Sequence, residues 1–136
     1  MPIPNELFAT MTGRLVPREG AATAMDAIVV WRALFRKFAP LLGPLSTELL
    51  FARVLATHES AFPWLPQALP GAARPIFTDF ERSLDGRPPD EIVLVNHALL
   101  LSYTTGLADL IGAGLTTRFL QAAFPIDGTT NNSIQE

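Results

Sequence analysis

The sequence predicts a single all-α domain, an antiparallel helical bundle of about five helices around a buried central C-terminal helix. In several segments apolar residues recur at three- and four-residue steps, as they do on one face of an α-helix. Proline and glycine separate these segments, and no alternating run of β-branched residues predicts a strand. The 136 residues are 49% apolar and only 17% charged, which is typical of one folded domain with a large core.

The first helix is predicted to follow an irregular N-terminal arm, residues 1–22, which is rich in proline and glycine. Thr23 and Asp26 have the spacing of a capping box, in which each side chain bonds a free amide of the first turn. An apolar stripe follows, and Pro40 is expected to end or kink the helix because proline lacks the amide hydrogen. The stripe consists of Ile28, Trp31, Leu34, Phe35 and Phe38.

A second helix is predicted from the corner at Gly43-Pro44 to about Phe62. The next stretch, to Pro75, contains four prolines and is predicted to be a crossing loop. A short amphipathic helix then fits residues 76–84, and Asp85-Gly86 is expected to stop it.

The helix predicted from Asp90 to Ile111 is apolar over most of its circumference, so we expect neighbours on several sides. Prolines and acidic residues at 88–91 form a favourable start. A narrow polar sector holds Glu91, Ser102, Thr105 and Asp109. A last helix is expected to close at Pro125, so that residues 23–125 form the bundle domain and 126–136 a disordered polar tail.

The sequence around the corner at Gly43 is weakly similar to the sequence around a second corner at Gly112. Residues 41–50 resemble residues 110–120 if one insertion is allowed, and Ala-Phe-Pro follows each corner. A true repeat would explain this similarity. Helical corners also share such residues because few residue types can make them, and the sequence leaves both explanations open.

Composition excludes several classes of function. Without cysteine there is no disulfide, thiolate metal site or cysteine nucleophile. The net charge of −3 and the lack of a basic stripe argue against nucleic-acid binding. The longest apolar tract contains Asn96, His97 and Asp109, which favours a buried helix over a membrane span. No secretory signal is visible, so a cytoplasmic protein is expected, and the preference for arginine over lysine favours a bacterial source.

Four polar side chains are the candidate site residues. His58 falls near the middle of the apolar arc of the second helix, Asn96 in the widest arc of the central helix, and His97 toward its flank. Buried and unpaired, each would cost about 1–3 kcal/mol, so we expect hydrogen bonds to Tyr103 or to each other. No metal-ligand spacing, G-x-S-x-G motif or nucleotide loop occurs, so no metal, cofactor or catalytic residue is predicted.

The segment Thr57-His58-Glu59-Ser60-Ala61-Phe62-Pro63 resembles the phosphoacceptor box of sensor histidine kinases. The resemblance implies that His58 accepts a phosphoryl group, that Glu59 assists as a base and that Pro63 bends the helix. It covers seven residues. The arginine and small polar residue typical of the box are missing, and no ATP-binding domain follows.

The leading interpretation is a non-enzymatic bacterial signalling or regulatory module that acts through self-association, as a homodimer or larger oligomer, and through an unknown protein partner. Few charges and more apolar residues than a small bundle needs motivate it. Two alternatives stay open: phosphotransfer through His58, and sensing of a small apolar ligand in a pocket between the second and central helices, with His58 or His97 as polar anchor. The aromatic residues available to line that pocket are Trp31, Phe35, Phe51, Phe62, Trp64, Phe77 and Phe80.

Overall fold

A computed structural model describes residues 4–17, 19–68, 70–71 and 75–125 of the chain. These residues form six α-helices and no strand, which confirms the all-α class. The helices are α1 (Asn5–Gly13), α2 (Ala24–Leu42), α3 (Pro44–Thr57), α4 (Thr78–Leu84), α5 (Pro89–Ile111) and α6 (Ala113–Ala123). The polar tail predicted to be disordered, residues 126–136, lies outside the described residues.

Helix α1 occupies part of the segment predicted to be an irregular arm, so that prediction is wrong for Asn5–Gly13. Leu7, Met11 and Leu15 are buried because their four-residue spacing places them on one side of the chain. The helix has no side-chain cap, since Pro4 precedes it. Without a capping box and with a stripe of only three residues, the segment carries little sequence signal for a helix.

Helix α2 begins at the predicted capping box and ends later than expected. The hydroxyl of Thr23 accepts a hydrogen bond from the Asp26 amide at 3.3 Å, and the Asp26 carboxylate accepts one from the Thr23 amide at 2.9 Å. Pro40 lies inside the helix, which continues to Leu42 without a break. In the last turn proline costs little, because the carbonyl of the exposed Arg36 can bond water instead of an amide.

Helix α3 is shorter than the sequence predicted, because it ends at Thr57 and not near Phe62. Residues 58–61 form turns, and the described residues of the proline-rich crossing segment contain neither helix nor strand. Leu65 is buried, and the Arg87 guanidinium lies 3.8 Å from the centre of the Trp64 ring. These two contacts hold the crossing segment against the helices.

The two glycine corners have the same backbone geometry. Gly43 has φ 94° and ψ 146°, and Gly112 has φ 93° and ψ 150°. Each glycine closes one helix and opens the next, with its amide bonded to a carbonyl four residues earlier, at 2.7 Å and 2.8 Å respectively. This combination of φ and ψ is nearly restricted to glycine, so each corner requires that residue.

The similarity of the corners extends to the helices around them without the insertion that the sequence comparison allowed, but not to the two Ala-Phe-Pro segments, which are 62 positions apart. Residues 69 positions apart, the separation of Gly43 from Gly112, are equivalent: α2 and α5 end at the same position, and α3 and α6 begin at the same position. Most buried positions of α2 are also buried in α5. The shared pairs are Ala27 and Asn96, Val30 and Leu99, Trp31 and Leu100, Leu34 and Tyr103, and Phe38 and Leu107.

Packing between the helices follows the same relationship. Helix α2 contacts α3 and α6, whereas α5 contacts α6 and α3, and the two long helices contact each other. Helix α1 packs on α5, and its equivalent α4 packs on α2. Exchanging each helix for its equivalent therefore leaves most contacts unchanged, as an approximate two-fold relationship between the halves does.

Gly43→Ala and Gly112→Ala should each lower the free energy of unfolding by about 1–3 kcal/mol, because a Cβ is strained at these angles. The matched control is Gly114→Ala, where φ is not in the left-handed region and open space surrounds the added carbon. This control should leave stability equal or higher by up to about 1 kcal/mol, since alanine favours helix. Denaturant unfolding measures all three, and equal effects at the three glycines would contradict the corner geometry.

Candidate functional site

His58 lies immediately after α3 and is half-buried, on the side of the helix that the sequence placed in the core. Its Nε2 atom is 2.7 Å from the hydroxyl oxygen of Ser102 on α5. The predicted partner Tyr103 lies elsewhere, and the sequence analysis missed Ser102 as a partner. The signal was present, because Ser102 belongs to the polar sector of α5.

An open groove of about 430 Å³ runs between α3 and α5 next to this pair. Close helix packing shapes the groove, because a Cβ added to Gly106 would lie 2.8 Å from Leu50 Cδ1. The position equivalent to Gly106, 69 residues earlier on α2, is Lys37. A glycine at this position is therefore found only in the contact between α3 and α5. The groove residues are Leu50, Arg53, Val54, Thr57, Leu101, Ser102, Thr105, Gly106 and Asp109.

His58 and Ser102 are close enough to act as a general base and a nucleophile. The surroundings of the pair, however, do not suit acyl transfer. Ser102 is in the middle of α5, where the helix's own hydrogen bonds use the backbone amides that an oxyanion would need. Among the described residues, no carboxylate bonds the other ring nitrogen of His58. No group of three or more histidine or acidic side chains in the described chain could hold a metal ion.

The surroundings of His58 also differ from those that the resemblance to a phosphoacceptor box implies. Because α3 ends at Thr57, Pro63 follows the helix and does not bend it. The Nε2 atom of His58 is engaged by Ser102, and Glu59 is exposed. The geometry therefore gives phosphotransfer no particular support.

Asn96 is fully buried, as predicted, and its partner is Trp31. The indole N–H of Trp31 donates to Asn96 Oδ1 at 2.8 Å, while Asn96 Nδ2 donates to the Ile92 carbonyl at 2.8 Å. This hydrogen bond joins the two long helices in the centre of the molecule. The two side chains satisfy each other, so Asn96 is a structural residue in this arrangement.

Tyr103 is also buried, and its hydroxyl donates to the Thr47 carbonyl on α3 at 3.1 Å. Burial raises the pKa of the Tyr103 phenol, because the charged phenolate loses its hydration inside the protein. The hydroxyl hydrogen bond fixes the start of α3 against α5.

Most aromatic residues considered for a ligand pocket pack against each other. Ring centres of Trp31 and Phe51 are 4.9 Å apart, and those of Phe35 and Phe77 are 4.8 Å apart, in edge-to-face pairs. Phe80 closes the same cluster at 5.4 Å from Phe51. None of these five residues lines the groove between α3 and α5. The aromatic cluster is therefore core in this structure.

His97 is exposed, so the prediction that it is a buried polar residue is wrong. Its ring makes an edge contact with Phe8 of α1, with 4.9 Å between ring centres. The reason is geometric: His97 lies on the flank of α5 that faces α1, a short helix the sequence analysis did not predict. That neighbour covers only one side of the imidazole.

The sequence analysis missed two exposed helix faces, each of which carries two exposed apolar side chains. Further exposed leucines lie at Leu41, Leu45, Leu49 and Leu110. The outer face of α2 comprises Met25, Val29, Arg32 and Arg36, and the outer face of α5 comprises Leu94, Ala98, Leu101 and Thr105. Both sets follow the steps four, three, four, the spacing of a helix–helix seam. Val29 is 57% exposed and Leu94 61%. The two faces occupy equivalent positions in the two halves of the chain.

Within the described residues, none of the helices combines the length and the apolar character needed to cross a membrane. Neither a protein-family profile nor a curated protein nor a solved structure matches this chain significantly. The groove between α3 and α5 and the two outer faces are therefore the surfaces that bear on function.

Asn96→Ala should lower the free energy of unfolding by about 2 kcal/mol, because it leaves the buried Trp31 N–H without an acceptor. Alanine fits this fold position, since Ala27 occupies the equivalent site. In a Trp31→Phe background the same change should cost clearly less, because no donor remains unpaired. Denaturant unfolding of the four proteins gives the coupling, and equal losses in both backgrounds would refute the pairing.

Alkaline pH should destabilise the protein through Tyr103, its only tyrosine. In the unfolded chain the phenol ionises near pH 10, whereas the buried phenol keeps its proton to higher pH. The folded state then binds more protons than the unfolded state, so stability falls as pH rises above about 10. Phenolate absorbance should appear together with the loss of helical circular dichroism. A Tyr103→Phe variant should lose that absorbance, and ionisation well before unfolding would contradict the burial.

Proposed function

We propose that this protein is a non-enzymatic signalling or regulatory module of the bacterial cytoplasm. It acts through self-association and through binding of a protein partner, and is built as the antiparallel helical bundle that the sequence predicts. The observation that carries the proposal is the pair of outer faces on α2 and α5. Each presents two apolar side chains to solvent along a helix seam, with Met25 50% and Leu101 48% exposed. Single exposed apolar residues are ordinary, but a seam arrangement is typical of helices that pack on another helix.

The repeated architecture supplies an internal comparison for Leu101. Arg32 occupies the equivalent position of α2 and is also exposed. Because the fold accepts arginine at this position, folding does not require a leucine there. Binding of a second protein surface would bury the exposed Leu101 side chain and would explain why a leucine is present there.

The groove between α3 and α5 continues the outer face of α5, since Leu101 and Thr105 belong to both. Its apolar floor and its polar rim of Arg53, Thr57 and Asp109 suit a polypeptide better than a phosphate backbone, which would meet the Asp109 carboxylate. The surroundings of the histidine–serine pair favour a binding role for this surface over a catalytic one.

Sedimentation velocity across a range of protein concentrations tests the proposal. The wild-type protein should show an average mass that rises with concentration. A double variant, Val29→Arg with Leu101→Arg, should keep the mass of one chain, because it places a positive charge in the middle of each face and like charges oppose every pairing of the two faces. Val16→Asp is the matched control: Val16 is 50% exposed and lies off both faces, and Asp85 occupies its equivalent position.

This control should associate like the wild type. A wild-type protein that stays at the mass of one chain at every concentration would remove the proposal of self-association. Association that survives unchanged in the double variant would show that other surfaces carry it.

A further inference from the structure

We propose that the groove between α3 and α5 binds a small zwitterion, a free α-amino acid with an aliphatic side chain. Arg53 receives the carboxylate, Asp109 receives the ammonium group, and the aliphatic chain lies on Leu50 and Val54 between them. This binding site goes beyond the proposed function, because it does not depend on whether the protein self-associates.

The two walls of the groove carry opposite charges. Arg53 lies on the α3 side and Asp109 on the α5 side, and both are exposed. Neither side chain makes a hydrogen bond or an ion pair with any residue in the described part of the chain. Both charges are therefore available to a ligand, and a molecule with one charge of each sign is complementary to the pair.

Contacts across the groove show that α3 and α5 run in opposite directions. Leu50 packs on Gly106, whereas His58, further along α3, contacts Ser102, which comes earlier on α5. The residues that line the groove therefore come in opposite order on the two helices. The hydrogen bond between His58 and Ser102 joins the helices at one end of the groove.

This arrangement sets the distance between the two charged residues. Arg53 lies three residues beyond Leu50 on α3, and Asp109 lies three residues beyond Gly106 on α5. With a rise of about 1.5 Å per residue, their backbones are about 9 Å apart along the helix axes. Each side chain leans toward the N-terminus of its own helix, and in antiparallel helices these two directions converge. Arg53 and Asp109 thus reach toward the same small molecule from opposite ends.

The carboxylate end of the site has hydroxyl groups as well as the guanidinium. Thr105 lines the groove one turn before Asp109, and its hydroxyl makes no hydrogen bond with the described residues. The hydroxyl of Ser102 lies 2.7 Å from His58 Nε2. When that nitrogen carries a proton, it donates to the serine oxygen, and the serine hydrogen is then free to bond a carboxylate. A carboxylate beside Arg53 therefore has two hydroxyl donors within the same groove.

The other half of the chain shows that folding does not require the two charges. The positions equivalent to Arg53 and Asp109, each 69 residues away, are Ala122 and Pro40. The equivalent pair of helices, α6 and α2, packs together without them. Binding of a zwitterion gives a reason for both charges that the packing of α3 on α5 does not give.

Titration of isotope-labelled protein with L-leucine, followed by NMR, tests the proposal. Leucine should shift the amide resonances of groove residues such as Ser102 and Gly106, with a dissociation constant of about 1 mM because both ion pairs are exposed. Isocaproate lacks the ammonium group of leucine and isoamylamine lacks its carboxylate. Each analogue should bind about fivefold more weakly than leucine, the upper range for loss of one exposed ion pair.

Two variants assign each ligand charge to its residue. Asp109→Asn should weaken leucine binding about fivefold and should not weaken binding of isocaproate, which has no ammonium group to lose. Arg53→Met should weaken leucine binding by a similar factor and should not weaken binding of isoamylamine. The matched control is Arg36→Met with Asp90→Asn, which removes two exposed charges outside the groove and should bind leucine like the wild type.

Three results would overturn the proposal. The first is a wild-type protein whose groove resonances do not move at leucine concentrations well above the expected dissociation constant. The second is glycine binding as tightly as leucine, because the aliphatic chain would then contribute nothing. The third is an equal loss for leucine and isocaproate in Asp109→Asn, since the ammonium group would then not contact that carboxylate.

Discussion

The contact between α2 and α5 organises the molecule, and the hydrogen bond from Trp31 to Asn96 lies at its centre. Both helices contribute to the packing of the other half of the chain, since α2 contacts α6 and α5 contacts α3. This buried hydrogen bond fixes the position of α2 along α5. A shift of either helix along its axis would leave the indole N–H of Trp31 and the amide of Asn96 unpaired in the core. Apolar contacts alone tolerate such shifts more easily.

The sequence predicted features that depend on one residue or on a few neighbouring ones. The capping box at Thr23, the corner glycines and the burial of Asn96 belong to this group, because local chemistry or a wide apolar arc specifies each. Helix α1 was missed because its three buried residues indicate a helix only once α5 and α6, which cover them, are known to lie beside it. The exposure of His97 has the same cause, since the extent of burial at the flank of a helix depends on which neighbour covers it.

The end of α3 shows a different limit of sequence reasoning. Apolar periodicity continues toward Phe62, but the helix stops at Thr57 and the chain turns at His58. The turn puts the imidazole within reach of Ser102 on another helix, a long-range contact that no local pattern specifies. The sequence thus identified His58 and the polar sector of α5 as parts of the candidate site. Only the tertiary structure shows that His58 contacts Ser102 of that sector.

The approximate two-fold relationship separates what the fold needs from what it leaves free. Equivalent positions have the same residue where the backbone is strained, as at Gly43 and Gly112, and they share burial, though not residue type, at core pairs such as Ala27 and Asn96. They differ where they are exposed, as at Arg32 and Leu101. Folding constrains the first group and is indifferent to the second, so the differences between the outer faces need another cause. Contact with another protein surface is such a cause, because it acts on exposed positions and can favour a leucine on one half where the other half carries an arginine.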